Sequence, residues 1–220
     1  MPNPQEKYDR QLIVMFDPDD VIRRGSTALN EFATRCGLPS EIVDATAPGP
    51  EAEKLLRTAL SKLTWKSRLY LRGHGDWKSQ HLGSLNPKRV ARRLSRNGLC
   101  SAPLISITGC CLAKNRKHTD HQVVDTAFAN SMKSFAQQFH WFLMQDYGIG
   151  CALVARLRKL SVANTQFDPM NQGMKFTSRD GKNYYHQPRS KVRFVWVSEF
   201  KQRIEYVDYA GPEEDADDFE

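Results

Sequence analysis

Residues 68–75 and residues 103–111 decide the fold of this chain. They read RLYLRGHG and PLISITGCC, so each is a short apolar strand that runs directly into glycine. Around them lie stretches with apolar residues at helical spacing, such as residues 51–63. Alternation of buried strands with helices is typical of a parallel sheet that helices cover on both faces. We therefore predict an α/β fold with a mainly parallel sheet.

The rest of the chain extends this pattern. Further strands are predicted at residues 11–16, 41–45, 151–156 and 191–197, and further helices at residues 20–35, from Pro87 onward, and at roughly 121–146. Between residues 160 and 190 the pattern changes to short polar strands with turn residues, which indicates a C-terminal β-flap. We assign residues 1–204 to one domain. The acid-rich residues 205–220 are predicted to be a disordered tail.

The charge of the chain is unevenly distributed. The net charge of the 220 residues is +7, but eight acidic residues and no basic ones follow Ile204. Residues 1–204 therefore carry 32 basic against 17 acidic side chains, a net charge of +15. Such a body favours a polyanionic partner, either a nucleic acid, an anionic membrane surface or a polyphosphorylated small molecule.

Composition excludes several classes of protein. No apolar run approaches the ~18 residues of a membrane helix, and the first ten residues lack the apolar core of a cleaved signal peptide. The five cysteines are an odd number and two of them are adjacent, which argues against a disulfide framework. We expect a protein with no membrane span and with reduced thiols.

Two reactive side chains follow the two strands quoted above. His74 lies between two glycines after the first strand, and Cys110 follows Gly109 after the second. The carboxyl ends of parallel strands meet at one edge of a sheet, so we expect the imidazole and the thiol to lie side by side. An imidazole stabilises the thiolate that attacks a carbonyl and can protonate the leaving amine. Backbone amides near Gly75 and Gly109 are predicted to bind the oxyanion.

These motifs resemble the caspase-like (clan CD) cysteine peptidases. The order of segments is similar to the cysteine protease domains of the large glucosylating toxins and the autoprocessing RTX toxins, which inositol hexakisphosphate activates. The resemblance runs from about Tyr8 to Val197. It rests on QLIVMFDPDD, RLYLRGHG, LISITGCCLA, the flap GMKFTSRDGKNYYH and the closing strand SKVRFVWV.

The resemblance implies a cysteine endopeptidase with a caspase-like fold and no metal. Cys110 matches the nucleophile, His74 matches the catalytic histidine, and Asp19 is the best match for the acid that assists it, with Asp20 as the adjacent alternative. Cleavage after leucine in a polypeptide, its own chain included, would follow. The resemblance further implies secretion without a cleaved signal and activity in a host cytosol.

The resemblance also implies an activator site for inositol hexakisphosphate. Arg68 matches the base six positions before the catalytic histidine, Lys175 one of the two flap bases, and Lys191 the lysine that opens the last strand. Lys182 and Arg193 are further candidates near the flap, as is Arg189. Met174 stands where the family has its second flap base, so a relative that needs no inositol phosphate is an alternative.

Two other interpretations compete with the peptidase. Cys110 and Cys111 with His118 and His121 would make an unusual zinc site, because adjacent cysteines rarely both reach one tetrahedral ion. The basic helix after Pro87 is similar to a nucleic-acid-binding surface, but it lacks interleaved aromatic residues, so nucleic acid is not the expected partner. A basic binding module for nucleic acid or anionic lipid on an inactive caspase-like scaffold is the alternative to the enzyme.

Overall fold

The computed structural model describes residues 8–47, 49–76, 78–100, 102, 104–113, 134–156, 161–162, 175–179, 182–184 and 191–207. Its strands are β1 Gln11–Met15, β2 Ser40–Asp44, β3 Arg68–Arg72, β4 Gly75–Asp76, β5 His81–Leu82, β6 Leu104–Thr108, β7 Ala152–Arg156, β8 Ser161–Val162, β9 Lys175–Arg179, β10 Lys182–Tyr184, β11 Lys191–Ser198 and β12 Lys201–Tyr206. Its helices are α1 Asp20–Arg35, α2 Pro50–Leu60, α3 Pro87–Arg96 and α4 Phe135–Tyr147.

The main sheet has seven strands in the order β12-β11-β7-β6-β3-β1-β2. The five strands from β7 to β2 are parallel to one another, and β11 and β12 run antiparallel at one side. A second sheet of β10, β9 and β8 lies in the predicted flap region, and β4 pairs with β5 after the strand–Gly–His motif. The predicted mainly parallel α/β sheet is confirmed.

Helices lie on both faces of the sheet, as predicted. Leu69, Ile105 and Phe194 point to one face, where they pack with residues of α2, α3 and α4 in a single apolar core. Helix α1 contributes no residue to this core cluster. Instead, Gln11, whose side chain alternates to the opposite face of β1, donates a hydrogen bond to the carbonyl of Leu29 in α1 (3.4 Å).

The last strand differs from the prediction. No strand was expected after Val197, yet β12 pairs antiparallel with β11 and extends to Tyr206, past the predicted start of the acidic tail at Glu205. β12 is an edge strand in which Ile204 packs against the apolar core, and the polar residues around it give its sequence no strong apolar alternation. Residues 208–220 lie outside the described residues.

The long helix predicted for residues 121–146 is observed in its second part. Helix α4 begins after Ser134, whose side chain accepts a hydrogen bond from the amide of Gln137 (3.2 Å). It ends at Gly148 in the left-handed conformation. Residues 114–133 lie outside the described part. Within that part, none of the helices has the length and apolar character needed to cross a membrane.

Candidate active site

Three neighbouring strands end at one edge of the sheet and lead to Asp19, His74 and Cys110. Met15 of β1 pairs with Arg72 of β3, and Arg72 pairs with Thr108 of β6, so the three segments leave the sheet at the same level. The amide of Phe16 then donates to the carbonyl of Arg72 (2.8 Å), and the amide of Gly73 contacts the carbonyl of Thr108 (3.5 Å). The sheet thereby holds the three segments together.

The segments of His74 and Cys110 touch through their backbones. A Cβ atom placed on Gly75 would lie 2.2 Å from the carbonyl oxygen of Cys110 and 2.6 Å from its amide nitrogen. Only a residue without a side chain allows the main chain to approach this closely. The glycine after the histidine is therefore what lets the histidine segment pack against the cysteine segment.

Asp19 lies beside His74. Its Oδ1 atom is 3.4 Å from His74 Nε2, and both side chains are about half exposed. The same carboxylate caps helix α1 by accepting a hydrogen bond from the amide of Val21 (2.7 Å). This backbone bond, together with the contact to His74, lowers the pKa of Asp19 below its usual value. Asp20 instead forms an ion pair with Arg23 (2.9 Å), so the structure favours Asp19 over Asp20 as the neighbour of the histidine.

Cys110 lies at the start of a tight turn. The thiol-bearing residue is partly exposed, while the adjacent Cys111 is 8% exposed and adopts a left-handed conformation with φ of 55°. Beyond it, the amide of Ala113 donates to the carbonyl of Arg156 at the end of β7 (2.8 Å). The turn is therefore held on one side by Gly75 and on another by β7. Gly109 precedes this turn, and a Cβ atom there would lie 2.5 Å from Leu112 Cδ1.

Five cations point to the sheet face opposite the apolar core, and we call this set the basic face. Because side chains alternate along a strand, the basic residues of β3, β7 and β11 that are out of phase with the core residues share this face. Its members are Arg68, Arg72, Arg156, Lys191 and Arg193. The strands β3, β6, β7 and β11 contain no acidic residue.

The pKa values of the most buried cations of the basic face are strongly lowered. Lys191 pairs directly with Arg156 across β11 and β7. Burial lowers the pKa of Lys191 to about 7, and repulsion by Arg156 contributes to this shift. Burial also lowers the pKa of Arg72 and of Arg156 to about 10. Arg68 lies at the other end of β3, with its guanidinium over the rings of Tyr8 (5.1 Å) and Tyr70 (5.4 Å).

Three of the predicted activator residues lie on this face, and two cations were missed. Arg68, Lys191 and Arg193 are brought to the same side of the sheet. The backbones of Lys175 and Lys182 lie in the antiparallel β9–β10 pair, while Met174 and Arg189 lie outside the described residues. Arg72 and Arg156 were not predicted. The alternation of RLYLR, which gives Arg68 and Arg72 one face, is the signal that would have identified the first of them.

The described residues give little support to the two competing interpretations. No cluster of three histidine, cysteine or carboxylate side chains suited to a metal is present there, and His118 and His121 lie outside this part of the chain. In helix α3, Arg93 forms an ion pair with Glu53 (2.6 Å) and donates to the carbonyl of Ala45 (2.6 Å). This base of the helix therefore serves packing within the domain.

The fold and this edge of the sheet define a class of protein, an α/β protein of caspase-like architecture with cysteine and histidine at adjacent strand ends. A comparison with protein-family models matches the Peptidase C80 family over residues 6–166, which is most of the chain. The chain therefore belongs to this family of clan CD cysteine peptidases, to which the cysteine protease domain of RTX toxins belongs. It is a cysteine peptidase that acts on a polypeptide. A search of curated proteins returns no match to it.

Proposed function

We propose that Cys110 is the nucleophile of this peptidase, that His74 is its general acid and base, and that Asp19 orients the imidazole. The observation that carries this proposal is the packing of Gly75 against the Cys110 backbone while Asp19 lies 3.4 Å from His74. The segments of these three residues then follow one another along one edge of the sheet, with the histidine between the acid and the thiol.

The reaction follows from these roles. The Cys110 sulfur attacks the carbonyl carbon of the scissile peptide bond, and amides near Gly75 and Gly109 stabilise the oxyanion. The imidazolium of His74 gives its proton to the leaving amine as the C–N bond breaks, which leaves a thioester on Cys110. His74 then takes a proton from water, whose oxygen displaces the sulfur and releases the acid. Asp19 stabilises the imidazolium in both halves of the cycle.

We propose that the substrate is cleaved after leucine and that the chain can process its own polypeptide. The support for both is the resemblance of the site segments to the autoprocessing toxin domains. Action in a host cytosol after export without a cleaved signal belongs to the same proposal.

We propose further that inositol hexakisphosphate activates the enzyme by binding to the basic face. The supporting observation is charge: buried cations stand together there on strands with no acidic residue. Mutual repulsion and desolvation disfavour such an arrangement unless an anion compensates it. Guanidinium and ammonium groups bind phosphate through strong charge-assisted hydrogen bonds, so a polyphosphate suits this face. Lys175 and Lys182 would contribute from the flap, and activation would be a shift of population toward the competent site.

Thiol labelling tests this function. The protein is treated with a peptidyl-leucine electrophile, with and without inositol hexakisphosphate, and the modified cysteine is mapped by mass spectrometry. We expect modification of Cys110 that depends on the ligand. The Cys110→Ala variant should not be modified at this position, and His74→Ala should be modified at a greatly reduced rate. The exposed Cys100 supplies the control, since Cys100→Ala should label as the unmodified protein does.

The outcomes separate the parts of the proposal. Labelling of Cys110 without the ligand would keep the nucleophile and discard the activator. Peptidase activity that persists in Cys110→Ala would show that the nucleophile is wrong. An absence of labelling both with and without the ligand would favour the basic binding module on an inactive scaffold.

A further inference from the structure

Arg72 is a buried cation to which the catalytic roles above assign no task. It is the last residue of β3, two positions before His74, and it is only 1% exposed. Its Nε and Nη1 atoms are buried and have no hydrogen-bond partner among the described residues. None of the positions that the family resemblance assigns to the activator corresponds to Arg72.

An arginine in this state is energetically unfavourable. Buried guanidinium groups are normally paired with a carboxylate or fully hydrogen-bonded, because desolvation penalises the charge. The titratable groups that act on Arg72 are instead Tyr70, a phenol that stays neutral near pH 7 because burial raises its pKa, and Arg156, which repels it. Arg156 is itself only 8% exposed. The pair therefore offers N–H donors to an anion from inside the sheet face.

The main chain of Arg72 connects this position to the whole catalytic edge. Its carbonyl accepts the amide of Phe16, which opens the segment that carries Asp19 (2.8 Å). The next amide, of Gly73, contacts the carbonyl of Thr108, two residues before Cys110 (3.5 Å). A force on the Arg72 side chain would therefore act on the segments of Asp19, His74 and Cys110 together.

Arg156 has a corresponding position at the end of β7. Its side chain belongs to the basic face and lies close enough to Cys110 for a thiolate there to attract it. Its carbonyl accepts the amide of Ala113 and closes the turn that begins at Cys110 (2.8 Å). Arg72 pairs with Thr108, and the register of Ser106 with Val154, continued by two residues, brings Arg156 to the other side of Thr108.

We infer that Arg72 receives a phosphate group of the polyphosphate activator and acts as a positioning residue, which fixes the ends of β1, β3 and β6 in the catalytic arrangement. The planar guanidinium with its free N–H groups matches the geometry of a phosphate, and Arg156 supplies the second charge. The inference rests on the proposed activation by inositol hexakisphosphate and adds the residue that transmits ligand binding to the catalytic segments.

The variant Arg72→Met tests this role, because methionine fills similar volume without charge. We measure the melting temperature of the full chain with and without inositol hexakisphosphate, and the rate of Cys110 labelling against ligand concentration. Removal of an uncompensated buried charge should leave the ligand-free melting temperature unchanged or higher. The ligand-induced increase should shrink, and half-maximal labelling should need about 10-fold more ligand. The maximal labelling rate should also fall, which loss of binding alone would not cause.

Two further variants complete the experiment. Arg72→Lys keeps the charge but not the planar fork, so it should fold and show an intermediate ligand response; it decides the question if Arg72→Met does not fold. Arg92→Met removes an exposed cation of helix α3 and should behave as the unmodified protein does.

The outcomes distinguish this inference from the proposed function. Arg72→Met with a lower ligand-free melting temperature and a full ligand response would make Arg72 a structural residue and overturn the inference, while activation by the ligand would stand. If inositol hexakisphosphate neither stabilises the unmodified protein nor promotes labelling, both the activator and the role of Arg72 fail. The peptidase assignment would then be judged by ligand-free labelling of Cys110 alone.

Discussion

At the scale of single residues, Asp19 combines two tasks. It accepts the amide of Val21 at the start of helix α1 and lies against His74, so the helix cap fixes the carboxylate that faces the imidazole. The family resemblance made Asp19 the best match for the assisting acid and left the adjacent Asp20 as an alternative. Only the fold shows that Asp20 turns toward Arg23.

The variant Asp19→Asn separates these tasks, because asparagine caps a helix as well as aspartate does but carries no charge. We expect unchanged stability and a decrease in kcat of about 10- to 100-fold, since the imidazolium loses its counter-charge. The measurement is peptide cleavage at saturating activator, with thermal unfolding in parallel. Asp20→Asn is the matched control and should retain full kcat; an equal loss in both variants would argue against Asp19.

At the scale of elements, a buried histidine joins helix α4 to the antiparallel side of the sheet. His140 is fully buried, with Nε2 bonded to the carbonyl of Cys151 (2.8 Å) and Nδ1 facing the Gln202 amide of β12 (3.0 Å). Its ring stacks on Trp196 of β11 at 4.8 Å. Donation from Nε2 and acceptance at Nδ1 describe a neutral ring, and burial lowers the pKa of His140 to about 4.

We predict that this histidine makes the domain less stable in mild acid. Between pH 6.5 and about 4 the unfolded chain binds a proton at His140 that the folded chain does not, so the free energy of unfolding falls as pH falls through this range. The full effect is on the order of 3 kcal/mol, and it adds nothing below pH 4. Urea unfolding at several pH values measures it. His140→Gln should show a smaller slope with pH, and an identical slope would refute the prediction.

At the scale of the whole molecule, the sheet has two different faces. One is the apolar core under α2, α3 and α4, and the other carries α1 over β1 and the cations of the basic face beyond it. The candidate site lies at the edge where β3 and β6 end and bring together Gly75 and Cys110, which are far apart in the sequence. Their contact is a product of the folded topology.

The variant Gly75→Ala tests that contact. The added Cβ would lie 2.2 Å from the Cys110 carbonyl oxygen, so the two segments must separate. We expect Cys110 labelling to slow by about 100-fold, because small displacements of reacting groups have large effects on rate. Stability should fall by about 1–3 kcal/mol. Gly150→Ala, where the nearest atom is Met144 Sδ at 4.0 Å, is the matched control. Normal labelling in Gly75→Ala would show that His74 and Cys110 do not depend on this packing.

Much of the architecture was predictable because local patterns specify it. The apolar runs and the Asp-rich turn predicted β1 and the exact bounds of α1, and strand–Gly–His and strand–Gly–Cys indicated the edge of the site. The edge strand β12 was not predicted, because its side chains are mostly polar and its strand conformation depends on pairing with β11.

The sequence by itself determined the α/β class, the pairing of a histidine strand with a cysteine strand, and the excess of positive charge. The tertiary structure decided which cations share a face, that Asp19 and not Asp20 meets His74, and that Arg72 and Arg156 are buried without acidic partners on their strands. The physical reason is the separation in sequence over which each kind of interaction acts. Periodicity and capping act between residues close in the chain, whereas desolvation, repulsion and contact between strand ends depend on neighbours that only the folded sheet brings together.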